Sequence, residues 1–419
     1  QAGMGCSTLT RCLNLLESIA KRPTYLSLLQ EYPLALEKVV HLVASSSWAA
    51  DYLKRHPVLL DELLDPRLLE EEGQGTFSEA LRHTLDDVEP DTERQMDLMR
   101  EAHHAQVFRL LARDIAGQLT VERLSDHLSD LADLMVDTAL TYAWRKIATR
   151  HREMPRFSVI AYGKLGGKEL GYASDLDLVF LFEDEEADAA KTYSRLATRL
   201  NTWLSAQTPA GRLFETDLRL RPNGESGLIV ASLASFRKYQ FESAWVWEHQ
   251  ALTRARHCAG DATLGVAFEQ IRGDVLTLRR DPEKLRADVL SMRQKMQESH
   301  ATPVNERAVR FDLKHDPGGL VDVEFIVQYL VLSHAWQHPA LLENKGNIAL
   351  LKIAADCGLI PPDLSDTVRD AYREYRHLQH ALRLQERVGQ VDTGQVTQQI
   401  IAVRALWDRV FEPVHKPSP

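Results

Sequence analysis

The stretch Tyr162–Glu185, "YGKLGGKELGYASDLDLVFLFEDE", decides how this chain is read. Its front half carries Gly163, Gly166, Gly167 and Gly171 with Lys164 and Lys168. Its back half is an apolar run interrupted by Asp175 and Asp177. A carboxylate buried in a strand without a partner is strongly penalised. A cationic group is therefore expected beside this pair.

Working outward, "FSVIAY" from Phe157 is a short β-branched and aromatic strand that stops at Gly163. A glycine loop follows, then "DLDLVFLFE" as a second strand. "ADAAKTYSRLATRLNTWLSAQ" has helical composition and period, and "TPAG" breaks it. "RLFETDLRLRP" alternates as a third strand, "NGESG" is a turn and "LIVAS" a fourth strand.

Alternation sends residues i and i+2 to one face, about 6.6–6.8 Å apart along the chain. Asp175 and Asp177 are expected to project together, with Leu176 and Leu178 toward the core. On the third strand Glu215, Asp217, Arg219 and Arg221 share one face. Two such strands side by side bring three carboxylates to one point. A divalent cation relieves their repulsion, and an oxygen-only set favours Mg²⁺ or Mn²⁺ over zinc. Two ions about 3.5–4 Å apart clamp the attacking and leaving oxygens of a phosphoryl or nucleotidyl group. The glycines permit a tight loop whose N–H groups face phosphate oxygens, with Ser174 as a further donor. Lys164, Lys168, Arg219 and Arg221 can offset a triphosphate.

Each feature alone has a plainer meaning. A lone Asp-x-Asp is usually solvated surface, the glycines make a turn, and "ETDLRLRP" is an amphipathic strand with a salt-bridged outer face. Their conjunction points to a metal–nucleotide site. A P-loop is excluded because no Gly-Lys-Ser/Thr ends the loop. A Rossmann site is disfavoured by the missing GxGxxG and by an acidic pair that starts its strand.

The flanks read as helix. Leu9, Leu13, Leu16 and Ile19 recur at helical spacing, "EEEGQGTFS" (Glu70–Ser78) is a surface loop, and the period returns to Arg150. After about residue 233 the chain is helical again, with Tyr375, Leu378 and Leu382 on one face. Trp245 and Trp247 are expected to pack, and Glu248 and His249 to orient their helix. The fold class expected is predominantly helical α+β, a small α/β core flanked by helical regions. Its parts are expected at 1–125 (helical), 126–250 (nucleotide-binding) and 251–419 (helical bundle).

The 419 residues carry a net charge of -10, with 44% hydrophobic residues. That balance disfavours a sequence-independent nucleic-acid binder, which needs a basic face. No apolar run reaches the roughly 18 residues of a membrane span. Cys6, Cys12, Cys258 and Cys357 are scattered without a CxxC pair, which disfavours a disulfide framework or zinc site and fits a reducing, cytoplasmic setting. The opening "QAGMGCSTLT" reads as the cut edge of a longer polypeptide.

At the glycine pair, the D-x-D strand and the later carboxylate, the chain resembles the DNA polymerase beta nucleotidyltransferase superfamily. More closely, "GKLGGKELGYASDLDLVF", "DLRLRPNGESGLIV", "AWVWEHQALTRAR" and "GGLVDVEFIVQYLVL" look like the signature blocks of the glutamine synthetase adenylyltransferases, in their order. Members of that family have two related halves, one removing AMP by phosphorolysis and one adding it. "WEHQALTRAR" and "LLDELLDP" look like the adding, C-terminal half. The resemblance implies ATP as substrate and transfer of AMP to a tyrosine of glutamine synthetase. It implies Asp175, Asp177 and Asp217 as metal ligands, Asp217 also as possible general base. Gly166, Gly167, Ser174, Lys164, Arg219 and Arg221 are the expected nucleotide contacts. Glutamine and the PII signal protein are implied regulators. Removal of AMP, uridylylation of PII, and a non-catalytic nucleotide-binding module remain open alternatives. Asp322 and Glu324 in "GGLVDVEF" are either a helix's first-turn acids or part of the site.

Overall fold

The computed structural model describes residues 2–20, 22–70, 73–343 and 345–412. Pro23 and Pro33 each open a helix at its first turn, where a missing N–H leaves nothing unsatisfied. The N-terminal region is α1 (Ala2–Ile19), α2 (Pro23–Glu31), α3 (Pro33–Ser45), α4 (Ser47–Arg55), α5 (Gln74–Asp86), α6 (Thr92–Ile115) and α7 (Val121–Arg145). Asp91 and Thr120 cap α6 and α7 by accepting the N–H of Arg94 and Arg123.

The mixed unit runs β1 (Phe157–Ala161), α8 (Gly163–Gly166), β2 (Leu176–Phe182), α9 (Ala189–Ser205), β3 (Thr216–Asp217), β4 (Val230–Ser232), α10 (Leu233–Glu242), α11 (Val246–Leu252) and β5 (Arg256–Gly260). The sheet order is β3-β2-β1-β5, and β4 also pairs with β2. β1 is antiparallel to β2 and β5, whereas β3 and β4 lie parallel to β2. Helices α12 (Ala262–Leu276), α13 (Pro282–His300), α14 (Leu320–His334), α15 (Asn347–Asp356), α16 (Pro362–Leu384) and α17 (Thr397–Phe411) follow, with a two-stranded ribbon of β6 (Arg310–Asp312) and β7 (Gln390–Asp392). The predominantly helical α+β expectation holds.

Both sheet faces are covered. Phe157, Val159 and Ala161 of β1 and Leu176, Leu178, Phe180 and Phe182 of β2 join the core built with the N-terminal helices. Ile160, Val179 and Leu181 point the other way, into the core of the C-terminal helices. Each of these large side chains contributes about 1.5–3 kcal/mol by leaving water. Asp177 follows the parity of Val179 and Leu181, so it sits at the end of the second face.

Several expectations are corrected. The third strand is only two residues long, because the Asp217 carboxylate accepts the Arg219 N–H (2.8 Å) and turns the chain. Glu215, Asp217, Arg219 and Arg221 therefore do not line one strand face. The segment 163–166 is a helical turn, not a loop. β5 lies past residue 250 yet belongs to the sheet. On α1, a helix as the spacing predicts, Leu15 and Ile19 are buried, whereas Leu9 and Leu13 are 60% and 56% exposed. Trp245 is 69% exposed and does not pack as expected. Of the supposed Glu70–Ser78 loop, residues from Gln74 onward are helix, and Glu71 and Glu72 lie outside the described residues. Tyr375 is fully buried, with Leu378 and Leu382 packed against the same core. Among the described residues, no helix is long and apolar enough to cross a membrane.

Candidate active site

β2 and β3 meet in parallel register with Asp177 beside Asp217 and Leu176 beside Thr216. Adjacent strands lie about 4.8 Å apart, so the two carboxylates start from neighbouring backbone positions on one face. The Leu176 N–H donates to the Glu215 carbonyl (2.9 Å), and the Thr216 hydroxyl donates to Asn201 of α9 (2.7 Å). On the other side the Tyr162 N–H donates to the Asp177 carbonyl (2.9 Å). Asp177 is thus gripped from both flanks. Asp175, one step before the strand, is exposed.

The charges of this cluster are visible in its acidities. Burial, then the charges of Asp175 and Asp217, push the Asp177 carboxyl up to about 6, against the pull of Lys164 and Arg254. Asp217 goes the other way: hydrogen bonds from the Arg219 guanidinium hold its carboxyl low. Arg219 contacts both Asp217 oxygens, through Nε (3.0 and 2.8 Å) and through Nη2.

Asp175, Asp177 and Asp217 offer carboxylate oxygens, the donor type that suits Mg²⁺ or Mn²⁺. Among the described residues, however, no three His, Cys, Asp or Glu side chains are already converged as ligands. The third member is turned to Arg219. The donor types are those a hard divalent cation takes, with the Asp217 carboxylate occupied by Arg219.

The glycines serve packing more than phosphate. Gly163 has φ +53, and a Cβ there would meet the Asp177 Oδ2 at 2.0 Å, so the bare Cα seats the carboxylate. The Gly166 and Gly167 N–H groups donate to the Tyr162 and Gly163 carbonyls (2.8 and 3.1 Å). They are not free for phosphate oxygens. A Cβ on Gly166 would strike the Arg254 carbonyl (2.3 Å), and one on Gly167 its guanidinium (2.7 Å). The pair is bare because Arg254 lies against it.

Arg254 was missed by sequence reasoning, which passed over it inside "WEHQALTRAR". Nothing in a sequence marks a buried arginine before its carboxylates are known. Its guanidinium reaches Glu169 (2.5 Å) and Glu324 (3.2 Å), joining three of the quoted blocks. Burial alone would raise the Glu169 carboxyl, but Arg254 and Arg376 overcome it and hold it low. Tyr372 also donates to Glu169 (3.0 Å).

The remaining expected residues divide. Ser174 accepts the Gly171 N–H (3.1 Å), stiffening the approach to Asp175. Lys164 faces the site, and Lys168 turns away to Asp130 (3.0 Å). Arg221 points inward, its guanidinium donating to the Leu218, Glu225 and Gly227 carbonyls (2.7, 3.1 and 3.3 Å). It holds the turn. Asp322 is buried against Arg293 (2.5 Å) and the Gly318 N–H (2.6 Å), a structural pair, whereas Glu324 reaches the site through Arg254. Glu248 accepts from the Trp245 N–H (2.8 Å) and Tyr239 (2.9 Å), and His249 contacts the Gln240 carbonyl (2.9 Å).

Residues 36–271, which hold all three carboxylates and Arg254, match the family model described as glutamate-ammonia ligase adenylyltransferase. The chain belongs to that family. Residues 289–392 match a second model, described as PII-uridylyltransferase. Among this adenylyltransferase family's curated relatives, the chain is 62% identical over 405 residues to a bifunctional glutamine synthetase adenylyltransferase/adenylyl-removing enzyme of Aromatoleum aromaticum, covering 96% of the chain and 43% of the relative. The same name is borne by relatives from Chromobacterium violaceum (53% identity, 97% and 45% coverage) and Burkholderia mallei (51%, 96% and 44%). The chain thus spans less than half the length of the relatives it matches.

Proposed function

We propose that this chain transfers AMP from ATP to a tyrosine hydroxyl of glutamine synthetase. The observation that carries the reading is the register pairing of Asp177 with Asp217, with Asp175 adjacent, in a chain of the adenylyltransferase family. The tyrosine oxygen bonds to the α-phosphorus, the bond from that phosphorus to the bridging oxygen of the β-phosphate breaks, and pyrophosphate leaves. Mg²⁺ or Mn²⁺ held by Asp175, Asp177 and Asp217 would neutralise phosphate charge and align the displacement. Asp217 accepts the hydroxyl proton only after Arg219 releases it, because the guanidinium keeps its carboxylate weakly basic. Catalysis of this kind rests on alignment and charge placement.

The mixed unit supplies the nucleotide site and the flanking helical regions support it, in the divisions 1–125, 126–250 and 251–419. Glutamine and the PII protein act as regulators, on the resemblance to the family, and the reaction belongs in the cytoplasm. Removal of AMP is the second reading, favoured by the bifunctional name of the relatives.

The test incubates the chain with α-labelled ATP and glutamine synthetase, and separately with adenylylated synthetase and phosphate. Label on tyrosine, lost by about 10²–10³-fold or more in Asp177→Asn with folding intact, is the expected result. Transfer that survives in Asp175→Asn and Asp177→Asn overturns the site. ADP release without any transfer gives the removing activity instead.

A further inference from the structure

A cleft of about 260 Å³ opens between the glycine-rich segment and the C-terminal helices. Its walls include Lys164 after β1, Lys314 from the turn before α14, Arg383 at the end of α16 and Arg387 just beyond it. Two carboxylates line it as well, Glu169 and Glu324, and both are engaged. Glu169 is held by Arg254, Tyr372 and Arg376 (3.5 Å), and Glu324 by Arg254. Arg383 donates to the Tyr172 and Ala173 carbonyls (3.4 and 3.1 Å), so α16 touches the segment leading into Asp175. Among the described residues, Lys164, Lys314 and Arg387 have no carboxylate partner. Loss of water, then the charges of Lys314 and Arg383, hold the Lys164 ammonium below its usual range, although Asp175 pulls it up. Like charges gathered around a cavity without anions repel, and an anionic ligand removes that repulsion.

The volume sets what the ligand can be. It falls below the roughly 300–1,000 Å³ that encloses a drug-sized molecule, so it suits part of a nucleotide rather than the whole. We propose that this cleft seats the polyphosphate of the nucleotide, with Lys314, Arg383 and Arg387 of the C-terminal helical region completing a clamp begun by Lys164. The proposal deepens the adenylyl-transfer reading and rests on it. It replaces the Gly166 and Gly167 N–H groups as the phosphate contacts. It also makes the docking of the C-terminal helices a condition for binding nucleotide, because most of the unpaired charge comes from them.

Titration calorimetry on the whole chain tests this, with tripolyphosphate, inorganic phosphate, adenosine and ATP as probes. Lys314, Arg383 and Arg387 are exposed, so Lys314→Met and Arg387→Met leave the core untouched. Each is expected to weaken tripolyphosphate and ATP about tenfold or more, as loss of a charge-assisted hydrogen bond does, with adenosine unchanged. Tripolyphosphate affinity equal in wild type and the double variant overturns the proposal. So does inorganic phosphate binding as tightly as tripolyphosphate, which assigns the cleft to free phosphate. Label transfer measured in parallel separates the two readings. Lys314-dependent tripolyphosphate binding without transfer leaves the cleft standing and removes the proposed function; transfer with charge-independent binding does the reverse.

Discussion

Replacing Gly163 by alanine tests the seating of Asp177 most directly. The residue has φ +53, a region that costs an L-residue about 1–2 kcal/mol. The added Cβ would stand 2.0 Å from the Asp177 Oδ2, whereas real Cβ contacts do not fall under 3.0 Å. The carboxylate must therefore retreat by about 1 Å or the turn must open, and a misplacement of that size costs about 10²-fold in rate. Retreat is hard, since Asp175 and Asp217 already repel Asp177. The expected result is a kcat about 10²-fold lower in the AMP-transfer assay, with denaturant stability lower by about 1–2 kcal/mol. Gly75→Ala serves as control: nothing lies within 4 Å of its Cβ, so stability holds or gains up to about 0.5–1 kcal/mol and turnover is unchanged. A Gly163→Ala protein with wild-type stability and kcat within about threefold would refute the close seating.

Arg254→Met takes the arginine from Glu324 and leaves Glu169 to Arg376 and Tyr372, and is expected to cost about 1.5–3 kcal/mol in urea unfolding; a loss under about 0.5 kcal/mol would show that the network carries little energy. Arg219→Ala frees the Asp217 carboxylate and should tighten Mn²⁺ binding, read by paramagnetic relaxation of water; unchanged or weaker binding contradicts the guanidinium's gating of the third carboxylate. Burial lowers His103 to about 3 and His104 to about 2, so unfolding takes up protons below the ordinary histidine range. Stability is therefore full above pH of about 6.5 and falls on acidification, by at most about 1.4 kcal/mol per pH unit for each ring. A His103→Asn/His104→Asn variant should flatten the stability slope between about pH 6.5 and 5, and an unaltered slope would assign it to other groups.

The D-x-D strand was legible because apolar alternation and two misplaced acids coincide at Asp177. The third carboxylate was legible for the same reason, although its strand stops at once: Asp217 bends the chain with its own side chain, which alternation does not register. β5 was not legible, since "RHCAG" has neither alternation nor a β-branched residue and becomes a strand only through pairing with β1. The glycine pair was legible as a tight turn, but its second reason was not. Its smallness answers to Arg254, some ninety residues on, and no local pattern carries that distance. Periodicity marked α1 as helical but did not say which leucines pack: Leu15 is buried and Leu9 and Leu13 are not, because only packing selects the stripe.

The central strand also constrains how such a protein can vary. Every apolar side chain of β2 belongs to one of two separate interiors, and Asp177 shares the parity of one of them. Adding or losing a single residue there would swap the occupants of both interiors and turn the acid away from its partner strand at once. Length change at this strand is thus forbidden to descendants of the chain in a way that side-chain change is not. The strand's seven positions are thus fixed in number.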